Sequence, residues 1–372
     1  MKTVLELNTS QGRIPVLCGD DTPAALAALW RPRWRSAAII GDDTTLGLFG
    51  EAIGEALRPR CDRVLALSFP PGEKHKTRQT KARLEDALLE ARLERDACVV
   101  AVGGGIALDV AGFVAATTFR GLAHVNVATS LLAMIDAAIG GKTAVNTRHG
   151  KNLVGAFHQP VAVLLDWGAL RSLPARELRC GWAEGIKHAW IADAALFEEL
   201  EAWACGEDRR GDDTTRLLPP LRLLERCVAI KAGIVEADER EGGRRRVLNA
   251  GHTVGHALEQ ATEHQLHHGE AVAIGLHVEA RLAALRGGLA DEAVERLTRL
   301  LAALGLPTSS ELPFDELCGA LAHDKKNRGQ ALHCALPGAP GEMDPGDGGW
   351  SSAVRTAELE VAWQAAGCGG GG

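Results

Sequence analysis

Tyrosine is absent from the 372 residues, and Phe and Trp leave an aromatic content of only 4%, in a composition rich in Ala, Arg and Gly. No apolar run approaches the length of a membrane-spanning helix, so no membrane span is expected in these residues. The opening Met1-Lys2-Thr3-Val4-Leu5-Glu6 lacks the apolar core of a signal peptide. Cysteine is present 9 times but never as Cys-x-x-Cys. An odd count at irregular spacing excludes a disulfide framework and predicts reduced, mostly buried thiols in a cytoplasmic protein. Basic surface is scarce too. The net charge is −7, and the longest basic run, Arg244-Arg245-Arg246, is too short to make a nucleic-acid surface. No internal repeat is visible. What remains is 46% hydrophobic and 24% charged, a soluble globular composition at a length that favours two domains.

The first half alternates short apolar runs with helical patterns. Strands are expected at 36–40, 63–69, 97–102, 125–128 and 161–165, with a helix over 76–93 between the second and third. That alternation predicts an α/β domain with a parallel sheet and crossover helices. After about Leu170 the strand signals fade. Helical segments are expected at 177–203, 218–237, 247–262, 268–287, 290–304 and 314–323, so the second half reads as a mainly α-helical domain. The boundary is placed near Asp166-Trp167-Gly168, giving domains at 1–168 and 169–368. Residues 205–215 read as a polar surface loop, 337–350 as Gly/Pro-rich loop, and 369–372 as a disordered tail.

Chemistry concentrates in a few places. His252 and His256, four residues apart in an apolar stretch, project from one helix face. His268, in His268-Gly-Glu270, can close a metal site around them if a carboxylate joins. Glu184 is the candidate carboxylate: it sits in an apolar helical pattern where an unpaired acid is costly, although Lys187, three residues on, also offers a helical ion pair. Gly103-Gly104-Gly105 ends a buried-strand pattern and precedes a helical run, where backbone N–H groups meet phosphate. Asp109 is expected in the first turn of that helix. Pro71 to Lys76 reads, taken alone, as a solvated charged turn opening a helix. Asp136, Lys142, Lys151 and Asn152 lie in a stretch of small residues that lets backbone approach a ligand, and their donors, with Arg120, suit an anionic group. Lys231, Glu241, Arg245, Asn249 and His256 form a second polar set. Two basic clusters flanking a metal suggest a substrate with two anionic groups, such as a phosphate and a carboxylate.

These segments, in order and with matching spacing from about residue 36 to 335, resemble 3-dehydroquinate synthase of the sugar phosphate cyclases. They include Phe119-Arg120-Gly121, Gly-Gly-Lys142-Thr143, Gly150-Lys151-Asn152, Ala183-Glu184-x-Ile-Lys187, Leu248-Asn249-x-Gly-His252-Thr-x-Gly-His256, His268-Gly-Glu270 and His323-Asp324-Lys325-Lys326. The resemblance implies a Rossmann-like NAD-binding domain and a helical metal- and substrate-binding domain, in a cytoplasmic homodimer. It implies Glu184, His252 and His268 as ligands of Zn2+ or Co2+, which removes His256 from the metal. Lys231, Arg245, Asn249 and His256 would then bind the substrate carboxylate and ring hydroxyls. Lys142, Asn152 and a lysine such as Lys325 would bind phosphate, Arg120 would reach the neighbouring subunit's site, and Asp136 and Glu241 would hold hydroxyls. Asp42, Glu73, Lys76, Gly104, Gly105, Asp109, Thr129, Ser130, Lys142 and Lys151 would surround NAD. The implied reaction is transient oxidation of a sugar phosphate, β-elimination of phosphate, reduction, ring opening and aldol closure, without net use of cofactor.

The pattern departs from the family at Ala144, at Gly185-Ile-Lys187-His188-Ala, and after Cys334, where it is lost. The rival readings are a secondary-metabolic cyclase acting on sedoheptulose 7-phosphate or a similar sugar, a metal-dependent alcohol dehydrogenase, and a non-catalytic homologue. Cyclases of the first kind need no carboxylate-binding set, dehydrogenases leave the phosphate set unexplained, and loss of catalysis should erode metal ligands first.

Overall fold

The computed structural model describes residues 1–206, 211–263, 265–328, 332–346 and 348–370; from 323 to 328 it describes the backbone alone. The chain forms two compact units, Met1–Leu173 and Pro174–Gly372.

The strands of the first unit are β1 (Lys2–Thr9), β2 (Gly12–Gly19), β3 (Ser36–Asp42), β4 (Arg63–Phe69), β5 (Ala97–Gly103), β6 (Ala123–Ala128), β7 (Lys142–Thr147), β8 (Gly150–Phe157) and β9 (Ala162–Asp166). Its helices are α1 (Thr22–Leu29), α2 (Asp43–Thr45), α3 (Glu51–Leu57), α4 (Arg78–Glu90) and α5 (Gly105–Thr117). Seven strands pair in the order β1-β2-β9-β6-β5-β3-β4. All neighbours from β2 to β4 are parallel, and only β1 returns antiparallel on β2. Val100, Val102, Val125, Val127 and Leu164 pack on one sheet face with Leu26 of α1 and Ile53 and Leu57 of α3. The alternate residues Val99, Ala101 and Ile40 are equally buried, so the central strands are covered on both faces.

From β3 the chain moves to the edge strand β4, then crosses back to β5 and on to β6. Right-handed crossovers therefore put the helices that follow β3 and β5 on opposite faces. The strand ends at Asp42 and Gly103 part there, the place where an open α/β sheet binds its ligand. Gly41 allows the approach: a Cβ at this position would stand 2.6 Å from Val102 O.

The five expected strands all form. Two hairpins were not anticipated. β1–β2 is an edge pair whose first strand buries only Leu7 fully, so its alternation is weak. β7–β8 lies in the stretch of small residues, and Gly155 is required because any Cβ would run into Thr143 O.

The second unit is helical: α6 (Ala175–Ala192), α7 (Ala194–Cys205), α8 (Asp213–Leu217), α9 (Leu221–Ala237), α10 (His252–Ala261), α11 (His268–Leu285), α12 (Asp291–Ala303), α13 (Phe314–Arg328) and α14 (Thr356–Ala365). Among the described residues no helix is long and apolar enough to cross a membrane. The helix expected over 177–203 is two, because Asp193 turns the backbone extended and its Oδ1 accepts the Leu196 N–H at 2.9 Å, capping α7. The helix expected over 247–262 breaks at Gly251, whose φ is +78°. Arg244–Asn249 is a 3-10 turn, and α10 starts afresh at His252. The segment read as loop from 337 contains the short strand pair β11 (Pro337–Ala339) and β12 (Glu342–Met343), preceded by β10 (His333–Cys334) and followed by β13 (Ser352–Ala353), which pair with each other. At the tail, the Gly369 N–H donates to Ser310 O at 2.9 Å, so the chain is tied down to that point; 371–372 lie outside the described residues.

Candidate active site

Helices α10 and α11 cross through glycines. A Cβ on Gly255 would meet Ala271 O at 3.2 Å, and one on Gly275 would collide with Gly251 O. This close crossing carries His252, first residue of α10, to His268, first residue of α11; their rings are 5.3 Å apart. Glu184 arrives from α6, fully buried. Its Oε1 lies 3.5 Å from His252 Nε2 and 3.4 Å from His268 Nε2. The three ligand atoms lie within 4.8 Å of one another.

The surroundings select the tautomers. His252 Nδ1 faces Ala250 O at 3.1 Å and donates to it, leaving Nε2 as a lone pair toward Glu184. His268 Nδ1 faces Glu259 Oε2 at 3.4 Å, a carboxylate behind a ligand imidazole. Lys187 Nζ pairs with Glu184 Oε2, both buried. Burial opposes ionisation of Glu184, but Lys187 and the two histidines hold its carboxyl well below the usual range. Burial, then the charge on Lys187, push His252 well down. Burial would lower His268 too, yet Glu184 and Glu259 overcome it and push it up to about 9. Glu184 Oε1 makes no hydrogen bond of competent geometry despite its burial. A carboxylate oxygen and two Nε2 atoms converge on one point; a cation taken up there would displace the proton that Glu184 and Glu259 hold on His268, and this N2O set suits a borderline divalent ion with an open position. His256 is exposed, with its ring 5.1 Å from His252 and 6.2 Å from His268. With Glu259 and His268 it makes a second ligand-competent grouping, so geometry alone does not strike it from the metal set.

Just before α10, the loop from Asp238 winds around that residue's carboxylate, which accepts from Gly242 N–H at 2.8 Å, Gly243 N–H at 2.7 Å and Arg245 N–H at 3.0 Å. Arg245 is thereby buried, with Nη1 donating to Glu239 O at 2.6 Å. Asn249 Nδ2 donates to Glu241 Oε1 at 3.4 Å. Lys231 is buried on α9. The side chain of Lys325 lies outside the described residues.

In the first unit the end of β5 supplies the glycine turn. Gly103 has φ +145°, and a Cβ there would stand 2.7 Å from Ala107 Cβ. Gly104 is the N-cap of α5, and the Thr129 N–H donates to Gly103 O at 3.1 Å, setting Thr129 and Ser130 beside it. Asp42 Oδ1 accepts from Thr44 N–H at 2.9 Å and Thr45 N–H at 3.0 Å. Two expectations are corrected here. The turn at 71–76 is solvated only in part: Pro71, Gly72 and Lys74 are exposed, but Lys76 is buried, donating to Asp109 Oδ2 at 2.5 Å and Asn152 Oδ1 at 2.6 Å. Asp109 lies in the second turn of α5, not the first, because the helix begins at Gly105, and its partner is Lys76 rather than the helix dipole. Burial pushes the Asp109 carboxyl up, against the pull of Lys76. Asn146 completes the group: its Nδ2 donates to Glu73 Oε1 at 2.6 Å, and its Oδ1 accepts the Asn152 N–H at 3.0 Å. Asn152 takes a left-handed φ of 55° within β8. Lys142 is exposed at the start of β7, Lys151 half-buried on β8, Asp136 half-buried in a π-helical turn, and Arg120 exposed after α5 with φ 68°.

Three residues at these sites escaped the sequence reading. Glu259 follows His252 by seven and His256 by three, a helical spacing that could have found it. Asn146 carries no such signal. Glu279, an acid inside the apolar run of α11, breaks the pattern visibly; burial pushes its carboxyl up to about 8 despite backbone amides of the α10 turn.

The N-terminal 3-dehydroquinate synthase family model matches residues 66–180 and the C-terminal one residues 181–327. The 3-dehydroquinate synthase of Synechococcus sp. (strain CC9605) is 43% identical over 312 residues, 83% of each chain. That of Symbiobacterium thermophilum is 42% identical over 347 residues, 91% of this chain and 94% of the other. Among solved structures, 2-deoxy-scyllo-inosose synthase complexed with carbaglucose-6-phosphate, NAD+ and Co2+ superposes with a TM-score of 0.85 at 25% identity, covering 98% of this chain and 99% of the other. The 2-epi-5-epi-valiolone synthase of Streptomyces hygroscopicus subsp. jinggangensis 5008, with NAD+ and Zn2+ bound, gives 0.83 at 30% identity over 95% and 96%. Both halves of the chain thus match one family in order, at 43% and 42% identity to the two relatives above, and the chain belongs to the 3-dehydroquinate synthase family.

Proposed function

We propose that this chain converts 3-deoxy-D-arabino-heptulosonate 7-phosphate to 3-dehydroquinate and phosphate, as a cytoplasmic homodimer using NAD and Zn2+ or Co2+. The observation that carries the metal is the convergence of Glu184, His252 and His268, with a buried carboxylate oxygen 3.4 to 3.5 Å from two imidazole nitrogens. When bound, the metal supplies a Lewis acid for a substrate hydroxyl and NAD a hydride acceptor that is returned at the end of the cycle.

The chain's own residues divide the remaining work. Glu184, His252 and His268 hold the metal. Lys231, Arg245, Asn249 and His256 bind the substrate carboxylate and ring hydroxyls; Arg245 is oriented for this by the Asp238 loop and its bond to Glu239 O. Asp136 and Glu241 hold hydroxyls. Lys142, Asn152 and Lys325 take the phosphate, with Arg120 reaching the partner subunit. Asp42, Glu73, Lys76, Gly104, Gly105, Asp109, Thr129, Ser130 and Lys151 frame NAD at the parting of β3 and β5. With Lys76 bonded to Asp109, Asn152 keeps its orientation for a phosphate oxygen. The substrate's phosphate serves as the base for its own elimination, so no general base from the protein is required.

The test is an end-point assay with metal-loaded protein, catalytic NAD and 3-deoxy-D-arabino-heptulosonate 7-phosphate, with product mass and phosphate release followed together. Chelator-sensitive 3-dehydroquinate without net NADH is expected. Cyclisation of sedoheptulose 7-phosphate in its place would assign the chain to the secondary-metabolic cyclases and overturn the carboxylate role of Lys231, Arg245, Asn249 and His256.

A further inference from the structure

Helix α10 begins with an unmet demand. The first N–H groups of any helix lack intrahelical partners and are normally met by a side chain at the N-cap. The N-cap of α10 is Gly251, which has no side chain to offer. Glycine is required there twice over. Its φ is +78°, and a Cβ would stand 2.8 Å from Leu276 Cγ and 2.9 Å from Val272 O of α11. The crossing that brings His252 against His268 thus strips the helix start of its own cap.

Glu279 meets the demand from the other helix. It lies on α11 about three turns beyond His268 and is 1% exposed. Its Oε2 accepts the Gly251 N–H at 2.6 Å, and the amides of Val254 and Thr253 lie against the same carboxyl. The residue after Gly251 is His252, whose Nδ1 is held by Ala250 O on the other side of the same turn. A second strut reaches this turn from β10, where His333 O accepts the Thr253 hydroxyl at 2.9 Å. A buried carboxyl against the amides that flank a histidine fixes where that histidine's ring can point.

We propose that Glu279 is a positioning residue for the metal centre, setting the place of His252 by capping α10 from α11. This rests on the reading of His252 as a metal ligand. Glu279 does not touch the ion; it acts through the backbone from Gly251 to Val254. Its loss leaves buried amides without an acceptor and lets the α10 start relax away from Glu184. Outer groups that orient metal ligands are typically worth about 10–100-fold in affinity.

The experiment is a Co2+ titration of the chelator-stripped chain, read by the visible d–d absorption of bound Co2+ and by calorimetry, with thermal midpoints alongside. The variants are Glu279→Ala, Glu279→Gln, His252→Ala, and Leu282→Ala as a core control on the same helix. Glu279→Ala is expected to weaken Co2+ binding by about 10–100-fold and alter the absorption band. Glu279→Gln, which keeps one acceptor oxygen, should fall between it and the wild type, and stands in if the alanine variant does not fold. Leu282→Ala should lower the thermal midpoint without moving affinity or spectrum. Unchanged affinity and spectrum in both Glu279 variants would overturn the inference while leaving the metal site intact. An equal loss in Leu282→Ala would overturn it too, by reducing Glu279 to general support of α11. Wild type that binds no Co2+, or binding indifferent to His252→Ala, would instead refute the metal reading and remove the basis of the inference with it.

Discussion

The two units treat buried charge in opposite ways. In the first, Lys76 has Asp109 and Asn152, Glu73 has Asn146, and Asn146 has Asn152: in these four bonds each donor meets an acceptor, and they link into one closed group. In the second, one carboxylate faces a lysine and two imidazoles, and their titrations are driven apart, Glu184 and His252 down and His268 up to about 9. A closed group holds a scaffold, here the β7–β8 hairpin against α5. Groups whose titrations are forced apart mark a place built for something else, in this case a cation.

The sharpest way to break that comparison is Glu184→Ala. It leaves Lys187 charged and buried without its partner, a situation that typically costs about 3–5 kcal/mol. The denaturation midpoint of metal-free protein should fall accordingly, and bound metal by elemental analysis should vanish. Adding Lys187→Met removes the stranded charge. The double variant should regain most of the stability and none of the metal. If metal content returned with stability, Glu184 would be a structural ion-pair partner and nothing more.

The same design in the first unit should give a smaller effect. Lys76→Met strands Asp109, but that side chain keeps 18% of its surface in water, so the loss is set near the lower end of the range, about 3 kcal/mol. Asp109→Asn in the same background should restore it. Calorimetry then separates scaffold from site: if Lys76 also frames NAD, the stable double variant binds NAD more weakly, and unchanged NAD affinity would confine Lys76 to the scaffold.

How far the sequence reveals all this follows from the range of the interactions. Buried parallel strands such as Ala97–Gly103 are legible because every residue is apolar, and His252 and His256 because helical spacing is local. The β1–β2 hairpin is not, since an exposed edge strand needs no alternation, nor is β7–β8, since its small residues answer to contacts elsewhere. The burial of Lys76 is invisible from Pro71 to Lys76 alone because both its partners are distant in sequence: Asp109 lies 33 residues on and Asn152 lies 76 residues on. Glu279 is the intermediate case. An acid in an apolar helical run signals a partner, but which amides it meets depends on how α10 crosses α11.

A third test uses a buried group with no such partner. His124 on β6 is 1% exposed, stacks on His158 with ring centroids 4.9 Å apart, and has neither ring nitrogen hydrogen-bonded. Burial, then the proximity of His158, lower it from 6.5 to about 3. It is therefore neutral when folded, while the unfolded chain takes up its proton below pH 6.5. Its linkage leaves stability unaffected above that pH and erodes it as the pH falls from 6.5 toward 3, at about 1.4 kcal/mol per pH unit. Hydrogen exchange in peptides covering 123–128 should show this acid limb, and His124→Leu should flatten it. An unchanged limb in the variant would place the acid sensitivity in other groups.

An exposed charge calibrates the comparison from the other side. The Arg244 guanidinium lies 5.9 Å from the centre of the Trp350 ring, in the C-terminal segment where the family pattern fades. Such a contact at the surface is worth about 0.5–1 kcal/mol. Trp350 also sits at φ 59°, a left-handed conformation that costs a side-chain-bearing residue about 1–2 kcal/mol and glycine almost nothing. The two terms oppose each other, so the choice of substitution separates them. Trp350→Ala gives up the cation–π contact and keeps the backbone cost, and its denaturation midpoint should drop slightly. Trp350→Gly gives up the same contact but relieves the backbone, and should match or exceed the wild type. If alanine and glycine proved equally destabilising, the ring contact with Arg244 would be the whole of the effect and the backbone at 350 would carry no strain.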